Sequence, residues 1–204
     1  MQRIFLIRHG ETEGNAARIV QRPEIPLSPR GQAQAEALAR WLAKEGVARI
    51  VSSDLARAVG TAERLERATG ALLSFDPLLQ ERNFGDIRGT AYDDLGFELF
   101  APDYAPPGGE TWDVFHARVD RAWEAVRALA AATRGDLAVV THGLVCRSLA
   151  GRHLSLADGE VVPERWENSS VTIVEGRAPW RVRLLNSIAH LEDPDIRPAR
   201  DSAV

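Results

Sequence analysis

The sequence is nearly without lysine and cysteine: Lys44 and Cys146 are the single examples of each in 204 residues. One cysteine excludes an internal disulfide, and a thiolate metal cluster would need ligands the chain lacks, so a reducing, cytoplasmic compartment is the expected setting. The positive charge is therefore almost all arginine, whose planar fork suits bidentate contacts to phosphate oxygens. A charge field of one sign is absent too. Basic and acidic residues are interspersed and the net charge is −4, which removes the basic surface that a nucleic-acid backbone requires. Long apolar runs are also missing. The run Ile4 to Ile7 is too short for a signal-peptide core, and nothing approaches the ~20 residues of a membrane span, so neither export nor a membrane partner is expected.

What is present suits one globular domain spanning residues 1–204, since 45% apolar and 26% charged residues are ordinary proportions for such proteins. A single core keeps growing to roughly 250 residues before chains tend to split. Apolar runs predict strands at residues 3–8, 49–52, 72–75, 137–141, 170–175 and 180–185, the last two joined as a hairpin by a Gly-Arg-Ala-Pro turn. Helical spacing links Leu38, Trp41 and Leu42 after a start at Ser28, Pro29 and Gly31. A second helix carries Val59, Ala62 and Leu65 behind a cap at Ser53 or Asp54. A third follows Thr111 with Trp112, Phe115, Val119, Trp123, Val126 and Leu129 on one stripe, closed by Gly135, and a fourth begins near Leu144.

Strands alternating with helices imply an α/β three-layer sandwich, a mostly parallel sheet with helices on both faces, whose ligands bind outside the carboxyl ends of the strands. His9, Ser53 and His142 all stand at such ends. Residues 90–110 read as a small cap insertion, with Pro/Gly-rich Ala105 to Gly109 as its hinge, and residues 187–204 as a C-terminal tail. The exposed hairpin edge is open to a second subunit or to cover by the tail, and a homodimer is the expected assembly.

Arg8-His9-Gly10 combines a forked donor, an imidazole whose unperturbed pKa of ~6.5 makes it a competent nucleophile, and a glycine that lets backbone N–H groups approach an anion. By itself such a histidine equally suits a space-filling role beneath a turn. The surroundings decide. The run continues through Glu11 and Thr12 to Asn15, and is followed by Leu27-Ser28 with Gly31 and by Ser52-Ser53-Asp54-Leu55 with Arg57 and Ala58. Glu81 then precedes Phe84-Gly85, and Thr141-His142-Gly143 comes last. Over about residues 3 to 190 this resembles the histidine phosphatase superfamily, which includes phosphoglycerate mutases and fructose bisphosphatases.

The resemblance implies a phosphoglycerate mutase-like fold and an enzyme that phosphorylates His9. It implies Arg8, Arg57 and His142 on the phosphoryl oxygens, Glu81 handling the proton and Asn15 in the phosphate pocket. Gly10, Thr12, Arg82 and Gly143 complete the candidate substrate contacts. The chemistry agrees, because the transferring phosphoryl group spreads negative charge over its equatorial oxygens, which Arg8, Arg57 and a protonated His142 would meet. One carboxyl, Glu81, can protonate the leaving oxygen and then activate water. His116, His153 and His190 lack such surroundings and read as structural or exposed, Cys146 as an inert buried thiol, and Asn168, Ser169 and Ser170 as a turn before a strand.

The expected activity is hydrolysis of a small phosphomonoester, with no cofactor. Residues 90–107 carry Asp93, Asp94, Glu98 and Asp103 and no cation, a poor lining for a bisphosphoglycerate, and Tyr92, Phe97, Phe100 and Tyr104 suit an organic leaving group. The pair Glu81-Arg82 echoes a mutase motif and keeps a cofactor-dependent phosphoglycerate mutase as the alternative. His9, His142 and Glu81 are also a possible zinc set, but arginines beside a cation count against it, so no metal is expected. A catalytically silent phospho-ligand binding module would leave an intact nucleophile and acid unexplained.

Overall fold

The computed structural model describes residues 2–176 and 179–192; Arg177 and Ala178 of the expected hairpin turn, and the tail from residue 193 on, lie outside the described residues. β1 (Arg3–Arg8) leads through one turn, α1 (Glu13–Ala16), to α2 (Pro29–Leu42). β2 (Val47–Ser52) feeds α3 (Ala56–Thr69), and β3 (Leu72–Phe75) is followed by the insertion and then by α4 (Trp112–Ala132). β4 (Asp136–Thr141) runs into α5 (Gly143–His153) and the short β5 (Leu154–Ser155), and β6 (Val171–Glu175) and β7 (Trp180–Ser187) follow. They form one sheet in the order β3-β2-β4-β1-β6-β7-β5, parallel except for β6, which is antiparallel to β1 and β7. Among the described residues no helix is long and apolar enough to cross a membrane.

β1 and β4 read as unbroken apolar runs because both of their faces are covered. Ile4, Leu6, Leu137 and Val139 pack with Phe115, Val119 and Trp123 of α4 and with Leu149 of α5. Phe5, Ile7, Ala138 and Val140 pack on the other face with Leu38 and Leu42 of α2 and with Ala62 and Leu65 of α3. The period of two along the strand thus serves two separate cores. The parallel register pairs Arg8 with Thr141, so His9 and His142, each one residue further on, leave the sheet side by side.

Several local expectations are corrected. The residue capping α3 is Leu55, not Ser53 or Asp54; the Ser53 hydroxyl accepts the Leu55 N–H at 3.3 Å and turns to the site, 2.9 Å from His142 Nε2. Ala105 to Gly109 is tied to the segment that precedes the insertion: the Asp86 N–H donates to the Pro107 carbonyl at 2.9 Å and the Glu110 N–H to the Asn83 carbonyl at 2.8 Å. β7 extends to Ser187, and a turn at Ala189–Leu191 lays buried His190 against Trp41, ring centroids 6.0 Å apart. Burial brings the His190 imidazole down to about 4.

The start of α2 locks the loop that follows His9. Ser28 caps the helix by accepting the Gly31 N–H at 3.0 Å, while its own N–H donates to the Glu11 carbonyl at 2.9 Å. A Cβ on Gly31 would lie 1.9 Å from that Glu11 oxygen, with backbone on both sides and no flexible side chain to give way. Gly31→Ala is expected to destabilise the fold by about 3 kcal/mol, the upper part of the range for overpacking, which is roughly 10 °C in Tm for a chain of this size. Thermal unfolding checks this, and an unchanged Tm would mean that the two backbones separate freely.

Candidate active site

His9 is 2% exposed and its backbone is held on three sides. Its N–H donates to the Thr141 carbonyl at 3.0 Å, and its carbonyl accepts from the Ser169 N–H at 3.1 Å and from Asn168 Nδ2 at 3.2 Å. The imidazole Nδ1 lies 2.7 Å from the carbonyl of Gly10, an acceptor only, so Nδ1 carries the hydrogen and the lone pair stays on Nε2. Burial, with Arg57 and Arg8 adding to it, holds the ring well below the usual imidazole range. The neutral, nucleophilic form is therefore the resting one.

Two guanidiniums flank it. Arg8 donates through Nη1 to the Trp166 carbonyl, and Arg57 through Nη1 to the Arg22 carbonyl at 3.2 Å. The Nε of each is buried with no hydrogen-bond partner among the described residues. Burial brings Arg57 down to about 10, opposed by Glu81 and reinforced by Arg8 and Arg88. Like charges held this close with unspent donors make a site that an anion stabilises.

His142 is fully buried at the start of α5, its ring centroid 5.0 Å from that of His9. Nε2 is 2.9 Å from Ser53 Oγ. Burial, followed by Arg57, His9 and Arg8, keeps the ring well below its ordinary pKa, which corrects the expectation of a protonated His142: in the free protein it is neutral. Glu81 closes the group. Its Oε1 accepts the Arg82 N–H at 3.0 Å and its Oε2 the Leu144 N–H at 3.2 Å. Burial raises its pKa despite those N–H groups and the two arginines, so it keeps a proton where an ordinary carboxyl has lost it.

Arg8, His9, Asn15, Arg57, Glu81, Arg82 and Gly143 line one cavity of about 340 Å³ at the carboxyl ends of β1 and β4. The other expected contacts are turned elsewhere. The Gly10 N–H donates to Thr61 Oγ1 at 3.1 Å, and buried Thr12 spends its hydroxyl on Asn15 Oδ1 and Gln21 Oε1, at 3.0 and 2.7 Å, while it caps α1. Arg82 reaches the cavity wall, but its guanidinium is a strut: Nε donates to the Glu110 carbonyl at 3.0 Å, Nη2 to the Tyr104 carbonyl at 2.6 Å, and the group lies 3.9 Å over the Trp112 ring.

Further lining residues were not expected. Gln21, Arg88 and Asn168 all face this cavity, as do Arg18 and Arg165 at more exposed positions. Asn168 Nδ2 also donates to Asn15 Oδ1 at 3.1 Å, tying the loop before β6 to the phosphate side of the cavity. None of these lies in a periodic segment, and Asn168 alone was singled out, as part of a turn. The acids of the insertion are a correction of the opposite kind. Asp93, Asp94, Glu98 and Asp103 are exposed and line no part of the cavity, to which the insertion contributes Tyr92 and Phe100.

Comparisons with known proteins identify the family. The family model of the histidine phosphatase superfamily (branch 1) matches residues 4–187. The probable phosphoglycerate mutase GpmB of Shigella boydii serotype 18 is 31% identical over 210 residues, covering 95% of this chain and 97% of that protein. The mycobacterial glucosyl-3-phosphoglycerate phosphatase Rv2419c, solved with VO3, superposes with a TM-score of 0.78 at 28% identity, over 92% of this chain and all (100%) of that one. A phosphoglycerate mutase from Bacillus anthracis shares the fold, with a TM-score of 0.81 at 23% identity over 94% of this chain and 95% of its own. A neutral buried histidine between two arginines, met by a raised carboxyl and matched along nearly the whole sequence, places the chain in the histidine phosphatase superfamily.

Proposed function

We propose that the chain is a phosphatase that hydrolyses a small phosphomonoester through a phosphohistidine on His9, without metal or cofactor. The observation that carries this reading is the Nδ1–H bond from His9 to the Gly10 carbonyl, which leaves Nε2 unprotonated beside Arg8 and Arg57. Nε2 attacks phosphorus, the bond from phosphorus to the alcohol oxygen breaks, and the Glu81 proton passes to that oxygen. Water then attacks the phosphohistidine, its proton returns to the Glu81 carboxylate, and inorganic phosphate leaves with His9 neutral again. Arg8, Arg57, Asn15 and the N–H of His142 hold the equatorial oxygens.

Hydrolysis is favoured over transfer by what the insertion presents: Tyr92 and Phe100, two aromatic side chains and no cation. Arg18, Arg88 and Arg165 on the cavity wall support the second reading, a mutase that holds a second anionic group, and the Shigella relative carries a mutase name. Rates on purified protein with EDTA present separate the two. The expected result is phosphate release from a panel of phosphomonoesters, with little conversion of 3-phosphoglycerate to 2-phosphoglycerate when bisphosphoglycerate is supplied. Efficient isomerisation with little release would make the chain a mutase, and silence in both assays would favour a binding module.

A further inference from the structure

A second cavity, of about 590 Å³, adjoins the first, and Phe100 and Leu144 line both. It lies between the first turns of α4, the outward side of α5, the insertion and the loop carrying Val162. Its size falls within the roughly 300–1,000 Å³ of small-molecule sites. The shared wall is tied to the chemistry, because the Leu144 N–H is one of the two donors to Glu81 and Phe100 stands edge-on to Tyr92, ring centroids 6.1 Å apart.

The lining is apolar with a balanced pair of charges. Phe100, Leu144 and Val162 give apolar surface, and the His116 ring stacks on Trp112 at 5.6 Å and 21°. His116 Nδ1 lies 2.8 Å from buried Ser148 Oγ, which fixes the ring, and burial keeps it on the neutral side. Arg152 is occupied by Asp120, at 3.0 and 2.6 Å, whereas Arg147 has no hydrogen-bond or ion-pair partner among the described residues. Asp113 is the one carboxylate among the described lining residues. A highly charged occupant is therefore disfavoured. Arg147 and Asp113 are exposed, and a flat, uncharged ring with one acceptor for Arg147 and one donor for Asp113 meets both while covering the apolar walls.

Resting on the phosphatase reading above, we infer that this second cavity is the leaving-group subsite, and that the substrate is a phosphomonoester whose alcohol carries a planar heteroaromatic ring reaching across Phe100 and Leu144. The phosphoryl group sits by His9 and the ring between His116 and Val162, with Arg147 donating to it. The subsite acts on binding and orientation and leaves the chemical steps to the first cavity.

Gly151 offers a clean way to close it. It lies on α5 in the cavity lining, and a Cβ there meets only Val162 Cγ2 at 3.9 Å, an ordinary contact, so Gly151→Leu fills the space without straining the helix. Steady-state kinetics of the native protein, Gly151→Leu and Arg147→Ala are compared on 5′-AMP, flavin mononucleotide, glucose 6-phosphate, glycerol 3-phosphate and p-nitrophenyl phosphate. For 5′-AMP and flavin mononucleotide kcat/KM is expected to fall tenfold or more in Gly151→Leu and severalfold in Arg147→Ala, carried by KM. The other three esters should stay within twofold. Equal losses on every ester, no loss on the two ring esters, or a native preference for glycerol 3-phosphate or glucose 6-phosphate over both would overturn the inference. Adenosine, which has no phosphate, gives an arm independent of turnover: NMR shifts at Leu144 and Val162 are expected with the native protein and not with Gly151→Leu. Absence of those shifts in the native protein counts against the subsite, whereas failure to hydrolyse any ester, with the shifts present, counts against the phosphatase reading alone.

Discussion

His9→Ala is expected to lose about 10⁵-fold or more in kcat/KM, about 7 kcal/mol of transition-state stabilisation, and to stay folded. The size of the loss follows from the role proposed for Nε2: without it no covalent intermediate forms, and Arg8 and Arg57 are left with phosphate binding alone. The fold survives because residue 9 is held by its backbone, through the Thr141 carbonyl, the Ser169 N–H and Asn168 Nδ2, and all three contacts persist in alanine. Two measurements check this. After a brief reaction with a radiolabelled phosphomonoester, the native protein should carry label that is acid-labile and alkali-stable, as phosphohistidine is, and His9→Ala should carry none. A folded His9→Ala protein with turnover within tenfold of native would move the nucleophile elsewhere.

The parts of this site that were legible in the sequence are those fixed by strand geometry. β1 and β4 are apolar on both faces because two cores flank them, and parallel pairing of Arg8 with Thr141 then puts the next residue of each strand at one edge. Glu81 and Arg57 were reached through their place in a motif, not through any local pattern. What stayed hidden is the direction of side chains in irregular backbone. The acids of the insertion look like a lining in sequence, yet they are exposed while two aromatics of the same segment, Tyr92 and Phe100, line the cavity. Arg82, next to the acid in the chain, became a strut over Trp112, its Nε and Nη2 taken by the carbonyls of Glu110 and Tyr104. The charge on His142 was equally illegible, since it depends on burial beside Arg57 and Arg8 rather than on the neighbouring letters.

Glu81→Gln is expected to separate the two chemical steps according to the leaving group. For an alkyl phosphate the departing alkoxide needs a proton, so kcat/KM should fall by about 10²- to 10⁴-fold, the usual contribution of a positioned acid. p-Nitrophenolate leaves without one. With that ester His9 is still phosphorylated, but no base activates water, so a burst of one p-nitrophenol per protein should precede a slow steady state, and the phosphohistidine should accumulate. The pH dependence has a definite sign. Attack requires neutral His9, whose pKa is depressed, and protonated Glu81, whose pKa is raised, so kcat/KM of the native protein falls on the acid side through His9 and on the basic side through Glu81. Activity on alkyl phosphates is therefore highest between the two limbs. Glu81→Gln should keep the His9 limb and lose the basic one. The amide sets an NH2 donor against one of the Arg82 and Leu144 N–H groups, which met separate carboxylate oxygens, so a modest fall in Tm is expected as well. That structural effect would lower both esters alike. Equal losses on the two leaving groups, with no burst and the basic limb intact, would leave Glu81 as a positioning group and assign the proton to another residue of the cavity.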